Sequence, residues 1–268
     1  MTQALIKTPQ QLALMRESGR LLATVFTFLD DLVAPGLSTM ELDTAVERFI
    51  RHDLGARPAS KGQYHYPYSI NTSINEVVCH GMPHEKAILK DGDIINIDIT
   101  LEKNGFIADS SKMYLVGNVS PKAQRLVSTT FEAMWQGIKV VRPGARLGDI
   151  GHAIQKHAET KGYSVVREYC GHGIGRQMHE EPQILHFGRP GTGLELREGM
   201  VFTIEPMINQ GSARVRGLKD GWTVVTRDNG LSAQWEHTVA VTRDGYEVLT
   251  LQPACPLRGT CRYPRPGA

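Results

Sequence analysis

The chain has 268 residues, a formal net charge of +2 with histidine neutral, 41% apolar residues and 22% charged ones. That length is ample for a sizeable core in one large domain or two modest ones. The near-balanced charge argues against a dedicated nucleic-acid binder, which carries a strong basic excess. No apolar run reaches the roughly 18 residues of a membrane span, and the start, MTQALIKTPQ, lacks a secretory apolar core. Four cysteines (Cys79, Cys170, Cys255, Cys261) are too few and too scattered for a disulfide framework, which fits a reducing cytoplasm.

The N-terminal segment predicts two helices. Thr8-Pro9-Gln10-Gln11 supplies a cap, a proline at the first helical position and a capping-box glutamine. Leu12, Met15, Leu22, Val25, Phe26, Leu29 and Leu32 follow at helical spacing, and Pro35-Gly36 stops the run. Ser38-Thr39-Met40-Glu41 is a second capping box, and Leu42, Val46, Phe49 and Ile50 continue its apolar stripe to Gly55. Residues 56–76 read as loop. From Val77 the pattern turns to strands: 93–101 alternates through Ile95, Ile97 and Ile99, and 105–116 is its hairpin partner across Asn104-Gly105. Helices are then predicted over 121–141 and 147–161, separated by Pro143-Gly144. Strands follow from Tyr163, around 200–208, around 222–226 and over 232–241. Residues 252–268 read as a Pro-rich, flexible tail with Arg258, Arg262 and Arg265 and no acid.

The order of elements repeats. Lys90-Asp91-Gly92-Asp93-Ile94-Ile95-Asn96-Ile97-Asp98 aligns with Arg197-Glu198-Gly199-Met200-Val201-Phe202-Thr203-Ile204-Glu205, and Pro35-Gly36 with Pro143-Gly144 at nearly the same offset. Cys79-His80-Gly81 and Gly171-His172-Gly173 form a third pair. A duplicated half-domain explains this better than chance recurrence of turn residues. It predicts one domain over 1–251 with halves of about 1–118 and 119–251, and a site between them fed by both.

The repeat places an acid at the end of an apolar strand twice, as Asp98 and Glu205. A carboxylate in such a run needs a pair, a hydrogen bond or a metal if it points inward. Asp109 lies 11 residues after Asp98, nearly opposite it if the chain turns at Asn104-Gly105, and two adjacent acids repel unless one is protonated or a cation lies between them. Glu236 is a further acid among apolar neighbours, and His172 between two glycines lets its backbone approach a site closely. Two aspartates, two glutamates and one histidine suit two carboxylate-bridged divalent ions better than one tetrahedral zinc, which is a hydrolytic arrangement.

These residues resemble the type I methionine aminopeptidases of the pita-bread fold, an α/β (α+β) architecture of two pseudo-symmetric helix-plus-hairpin halves around an antiparallel sheet. The likeness covers about residues 4–251. It is carried by Ser73–Gly81, Asn96-Ile97-Asp98, Asp109–Met113, Tyr169–Gly175, His179-Glu180-Glu181-Pro182, Phe202–Met207 and Ser232–Thr238. The resemblance implies Asp98, Asp109, His172, Glu205 and Glu236 as ligands of two divalent ions (Co, Mn, Fe or Zn), with Asp109 and Glu236 bridging. It implies Glu205 as the proton shuttle, His179 as the group that stabilises the developing oxyanion, and His80 as the histidine near the leaving amide. Asn75, Val77 and Ser232 correspond to a secondary Na or K site.

Several pocket positions depart from the common pattern. Ser60, Gln63 and Asn71 stand where cysteines and a tyrosine are usual, Tyr66 and Trp222 are retained, and Met178 replaces a common aromatic. The short interval from His179 to Glu205 excludes the inserted helical subdomain of type II enzymes. The implied activity is removal of the initiator methionine from nascent chains, favouring a small second residue, by a cytoplasmic monomer with no membrane or nucleic-acid partner. The alternatives are an X-Pro peptidase or creatinase relative, expected to bring a further N-terminal domain, and a binding module, expected to have lost ligands. The basic tail has a second reading as a dock for an acidic surface such as the ribosome. Of the remaining histidines, His52, His152, His157 and His186 read as solvated, His65 and His84 as loop residues, with His65 near the pocket, and His237 as pointing away from Glu236. Cys79 and Cys170 read as small buried residues, and the spacing of Cys255 and Cys261 matches no standard zinc site.

Overall fold

A computed structural model describes residues 5–253. The first helix, α1 (Pro9–Asp30), starts on the expected capping box: the Gln11 amide N–H donates to the Thr8 hydroxyl and the Gln11 side chain accepts from the Thr8 N–H. The second, α2 (Thr39–Arg48), is capped in the same way by Ser38 and Glu41 and runs on as a π turn over Phe49–Asp53. The second pair, α3 (Pro121–Lys139) and α4 (Leu147–Thr160), follows the first hairpin. The cysteines, arginines and flexibility assigned to the tail beyond residue 253 lie outside the described residues.

The strand Ile94–Lys103 pairs antiparallel with Phe106–Leu115 through the two-residue turn Asn104-Gly105. Both turn residues have positive φ (54° and 76°), the geometry that matches the twist of a hairpin. Side chains alternate across a strand. Ile95, Ile97, Ile99 and Leu101 therefore enter one core with Leu22, Phe26, Leu42 and Val46 of α1 and α2. The other phase turns Asn96, Asp98 and Thr100 toward the opposite face.

Residues 56–76, expected to be loop, contain a strand at Ile70–Ile74 that pairs with Ile94–Lys103 along its whole length. Its polar Asn71, Thr72 and Ser73 concealed it: Asn71 lines a cavity, the Thr72 hydroxyl donates to the Gly81 carbonyl and the Ser73 hydroxyl accepts the Gly81 N–H. Asp98 is thus mid-strand, not terminal.

The expected single strand over 200–208 is two. Val201–Ile204 belongs to a five-stranded antiparallel sheet, in the order Gly245–Val248, His237–Thr242, Val201–Ile204, Gly171–Gly173, Glu180–Ile184. Met207–Asn209 pairs instead with Ser232–Gln234 and Ser164–Val165. The break falls at Glu205-Pro206, where proline has no N–H to continue the ladder.

A second core forms where α3 and α4 cover this part, around Phe131, Trp135, Phe202, Ile204 and Trp235. The Trp235 indole N–H donates to the Val127 carbonyl at 3.0 Å. Hydrogen bonds join the first hairpin to the later strands. The Asp109 N–H donates to the Thr238 hydroxyl at 3.1 Å, that hydroxyl donates to the Asp109 carbonyl at 2.7 Å, and the Glu236 N–H donates to the Ser111 carbonyl at 3.2 Å. The Asn96 amide bridges the Ser111 hydroxyl and the Gln234 carbonyl. This seam brings Asp109 and Glu236 together.

Candidate metal centre and substrate cavity

The first hairpin and several later strands and loops meet around a cavity of about 1070 Å³, which all five expected ligands and all eight expected substrate contacts line. Asp98 and Asp109 come from the first hairpin. They are not directly opposite: Asp109 faces Thr100 and Asp98 faces Ser111, so the two acids are diagonal neighbours on one face. His172 comes from the strand Gly171–Gly173, Glu205 from the break after Ile204, and Glu236 from the seam. One ligand atom each from Asp109, His172 and Glu236 lies within 4.8 Å of the others.

The glycines flanking His172 have a definite purpose. A Cβ at Gly171 would collide with the Thr203 carbonyl, and one at Gly173 with the Glu181 carbonyl. Close approach of three strands therefore carries the imidazole into the site. Its Nδ1 faces the Gly173 carbonyl at 3.0 Å, so the proton resides there. The Nε2 lone pair is left facing Asp109 Oδ2 (3.8 Å) and Glu205 Oε1 (3.6 Å). That is the orientation a metal-binding imidazole needs.

A shell of polar side chains holds the carboxyls. Thr100 Oγ1 donates to Asp109 Oδ1 at 3.0 Å, and Asn71 Nδ2 to Asp98 Oδ2 at 3.4 Å. Thr203 Oγ1 donates to Glu205 Oε1 at 2.8 Å while accepting the His172 N–H at 3.0 Å, and Gln234 Nε2 donates to Glu205 Oε2 at 3.2 Å. Thr100, Thr203 and Gln234 were not singled out from the sequence. Their signal was a hydroxyl or amide inside a buried strand beside an acid, where it must have a partner.

His186 is a correction. Expected to be solvated, it is 1% exposed and its Nε2 accepts the Glu205 N–H at 3.1 Å. Burial holds it neutral, with its pKa down at about 3. Leu185 beside it is exposed, so the inward turn of the His186 side chain to Glu205 was announced by no local pattern.

The electrostatics identify what is needed here. Burial pushes the carboxyl of Asp98 up to about 7. It raises Asp109, Glu205 and Glu236 well above the ordinary range, with the neighbouring acids adding to the rise. Among the described residues no lysine or arginine pairs with these four carboxyls, and the His172 imidazole lies beside two of them, Asp109 and Glu205. Burial also brings His172 down to about 4, so it supplies no positive charge at neutral pH. Four buried acids with no countercharge, arranged with an open imidazole nitrogen, fit divalent cations well. Asp109, His172 and Glu236 already bring ligand atoms within 4.8 Å of one another, and Asp98 and Glu205 line the same cavity.

His80 and His179 line the cavity, as expected. His80, at positive φ (55°) just after the strand Val77–Cys79, sits edge-on to Tyr169 (5.5 Å) and Trp222 (6.4 Å), and burial lowers its pKa to about 4. His179 packs edge-on to His172 at 4.4 Å between ring centres. Tyr64, another residue the sequence reading passed over, stacks on His179 at 5.8 Å and brings its hydroxyl to 3.5 Å from Nδ1. His65 is exposed and does not line the cavity. His237 points away into the second core, against Trp135 and Thr250, as expected.

Cys79 is buried, and Cys170 is only half-buried at the cavity wall. Burial raises both thiols, which keeps them protonated. Asn75 and Ser232 touch through the Ser232 N–H and the Asn75 carbonyl (2.8 Å), with Val77 two residues on, paired with Val225.

The profile of metallopeptidase family M24 matches residues 13–243. The methionine aminopeptidase of Escherichia coli (strain K12) is 51% identical over 247 residues, covering 92% of this chain and 94% of that protein. The crystal structure of methionine aminopeptidase from Rickettsia prowazekii matches with a TM-score of 0.90 at 52% identity, covering 92% of this chain and 99% of that one. Prolidase from Pyrococcus furiosus matches at a TM-score of 0.72 with 21% identity over 93% of this chain and 66% of that one, a likeness of fold alone. The pita-bread fold expected from the sequence is thereby borne out, and the chain belongs to metallopeptidase family M24, in its methionine aminopeptidase branch.

Proposed function

We propose that this protein removes the N-terminal methionine from polypeptides by metal-dependent hydrolysis. The observation that carries the reading is the meeting of four buried, uncompensated carboxyls and one open imidazole nitrogen beside His80 and His179, in a chain 51% identical to a methionine aminopeptidase. We assign Asp98, Asp109, His172, Glu205 and Glu236 as ligands of two divalent ions, with Asp109 and Glu236 shared. When bound, such ions supply Lewis-acid polarisation and lower the pKa of water.

The side chains do the rest. Glu205, its carboxyl oriented by Thr203 and Gln234, takes a proton from the attacking water at one oxygen and returns it to the departing amide nitrogen. The Tyr64 hydroxyl beside His179 Nδ1 favours the tautomer with hydrogen on Nε2, which donates to the carbonyl oxygen as negative charge develops. His80, neutral and fixed by its aromatic neighbours, positions the leaving amide. Tyr66, Trp222, Met178, Ser60, Gln63 and Asn71 surround the first side chain.

The natural substrates in this reading are nascent N-termini with a small second residue, met in the cytoplasm by a monomer. Asn75, Val77 and Ser232 form a monovalent-cation site. One catalytic domain over 1–251, built from two halves, is supported by the hydrogen bonds across the seam. Among the described residues no helix is long and apolar enough to cross a membrane. Assay of Met-Ala-Ser and an X-Pro peptide, with and without EDTA, tests the reading. Methionine release that stops on chelation and returns with Mn²⁺, Co²⁺, Fe²⁺ or Zn²⁺ supports it. Release from the X-Pro peptide alone would replace it with the prolidase reading.

A further inference from the structure

The part of the cavity that surrounds the first side chain is chemically mixed. Tyr66 and Trp222 meet edge-on at 4.9 Å and give it an aromatic wall. The Tyr66 hydroxyl is committed, since it donates to the Ile70 carbonyl at 3.0 Å. The Ser60 hydroxyl is committed too, as donor to Thr100 Oγ1 at 3.2 Å. Asn71 spends one amide hydrogen on Asp98. Its second amide hydrogen has no partner among the described residues, and the Gln63 side-chain amide has none either, although both residues line the cavity.

Two unpaired amide donors beside a site for an apolar thioether are a poor match. Methionine displaces the water that satisfies them and offers no strong acceptor in return, which weakens binding. A side chain of the same length with an acceptor oxygen on its sulfur restores those hydrogen bonds. Methionine sulfoxide is that side chain. An apolar pocket would reject it by stranding a buried S=O group, whereas one with free donors accepts it.

We propose that the cavity also takes peptides whose first residue is methionine sulfoxide, with Gln63 and Asn71 donating to the sulfoxide oxygen. This rests on the aminopeptidase reading above. The reaction is the same hydrolysis. The amide C–N bond after the first residue breaks, one water is consumed, its oxygen goes to the carbonyl carbon and a proton goes to the leaving nitrogen. The sulfur keeps its oxidation state and no reductant takes part. Sulfoxide sulfur is a stereocentre, and the Gln63 and Asn71 amides sit at fixed positions on the cavity wall. The two epimers therefore aim the oxygen in different directions, and the one that meets Gln63 and Asn71 is the better substrate.

The test uses the metal-loaded full chain with Met-Ala-Ser and the two separated epimers of Met(O)-Ala-Ser, measuring the released amino acid. One epimer is expected to have kcat/KM within about tenfold of the methionine peptide. Gln63→Leu and Asn71→Leu should each lower the sulfoxide-to-methionine ratio by about tenfold, the worth of roughly one well-placed hydrogen bond. Taking the ratio within one protein cancels any loss that Asn71→Leu causes through Asp98. Cleavage of the methionine peptide with both epimers slower than that limit overturns this inference alone. So does a ratio that neither variant moves. A protein that cleaves none of the three peptides under any metal overturns the aminopeptidase reading, and this inference with it.

Discussion

Thr203→Val isolates what the buried polar shell contributes. Thr203 is fully buried in the strand Val201–Ile204, and valine keeps its shape while removing one oxygen. Two bonds go together: the donation to Glu205 Oε1 at 2.8 Å and the acceptance of the His172 N–H at 3.0 Å. The orphaned N–H costs about 1–3 kcal/mol of stability whether or not metal is bound. The Glu205 contact matters mainly with metal, when the carboxylate is ionised. Loss of such an outer partner weakens metal affinity about 10- to 100-fold. Urea unfolding of the chelated protein reads the first effect, and Mn²⁺ titration by calorimetry reads the second. With saturating Mn²⁺, much of the activity should return. A variant with the parent's urea midpoint and the parent's Mn²⁺ isotherm would refute the idea that Thr203 organises two ligands at once.

Gly173→Ala should remove most activity, because the added methyl group meets the Glu181 carbonyl and pushes His172 off its line; kinetics at saturating Mn²⁺ check this, and near-parental kcat/KM would contradict it. Glu236→Gln should abolish methionine release yet stabilise the chelated protein at neutral pH, since it removes one of four crowded buried acids. The sign follows from the raised carboxyl values. Stability is fully present below the ordinary carboxylate range and is lost as pH rises through the folded values, for Asp98 from 3.8 toward about 7. The melting temperature of the EDTA-treated parent should therefore fall across that window, and that of Glu236→Gln should fall less. Metal should stabilise the parent more at pH 7.5 than at pH 5, and equal thermal shifts at both would argue against cations neutralising these acids.

Much of the molecule is written locally. Capping boxes at Thr8 and Ser38 start α1 and α2 as expected, because a cap satisfies backbone donors within three residues. The alternation of Ile95, Ile97 and Ile99 against Asp98 fixes which face of the strand is apolar, because successive side chains point to opposite faces. The four acids and one imidazole that line the cavity stood out in the sequence, and so did the eight residues expected to contact substrate, through the family resemblance. The tertiary structure decided what chain separation hides. Ile70–Ile74 is a strand only because Ile94–Lys103 pairs with it. His186 serves Glu205 from 19 residues away, Thr203 serves His172 from 31, and Asp109 meets Thr238 across 129. Each of these polar groups is paid for by a partner that only the folded chain brings near. A sequence therefore shows which groups demand a partner, and the packing of the two cores determines which partner each receives.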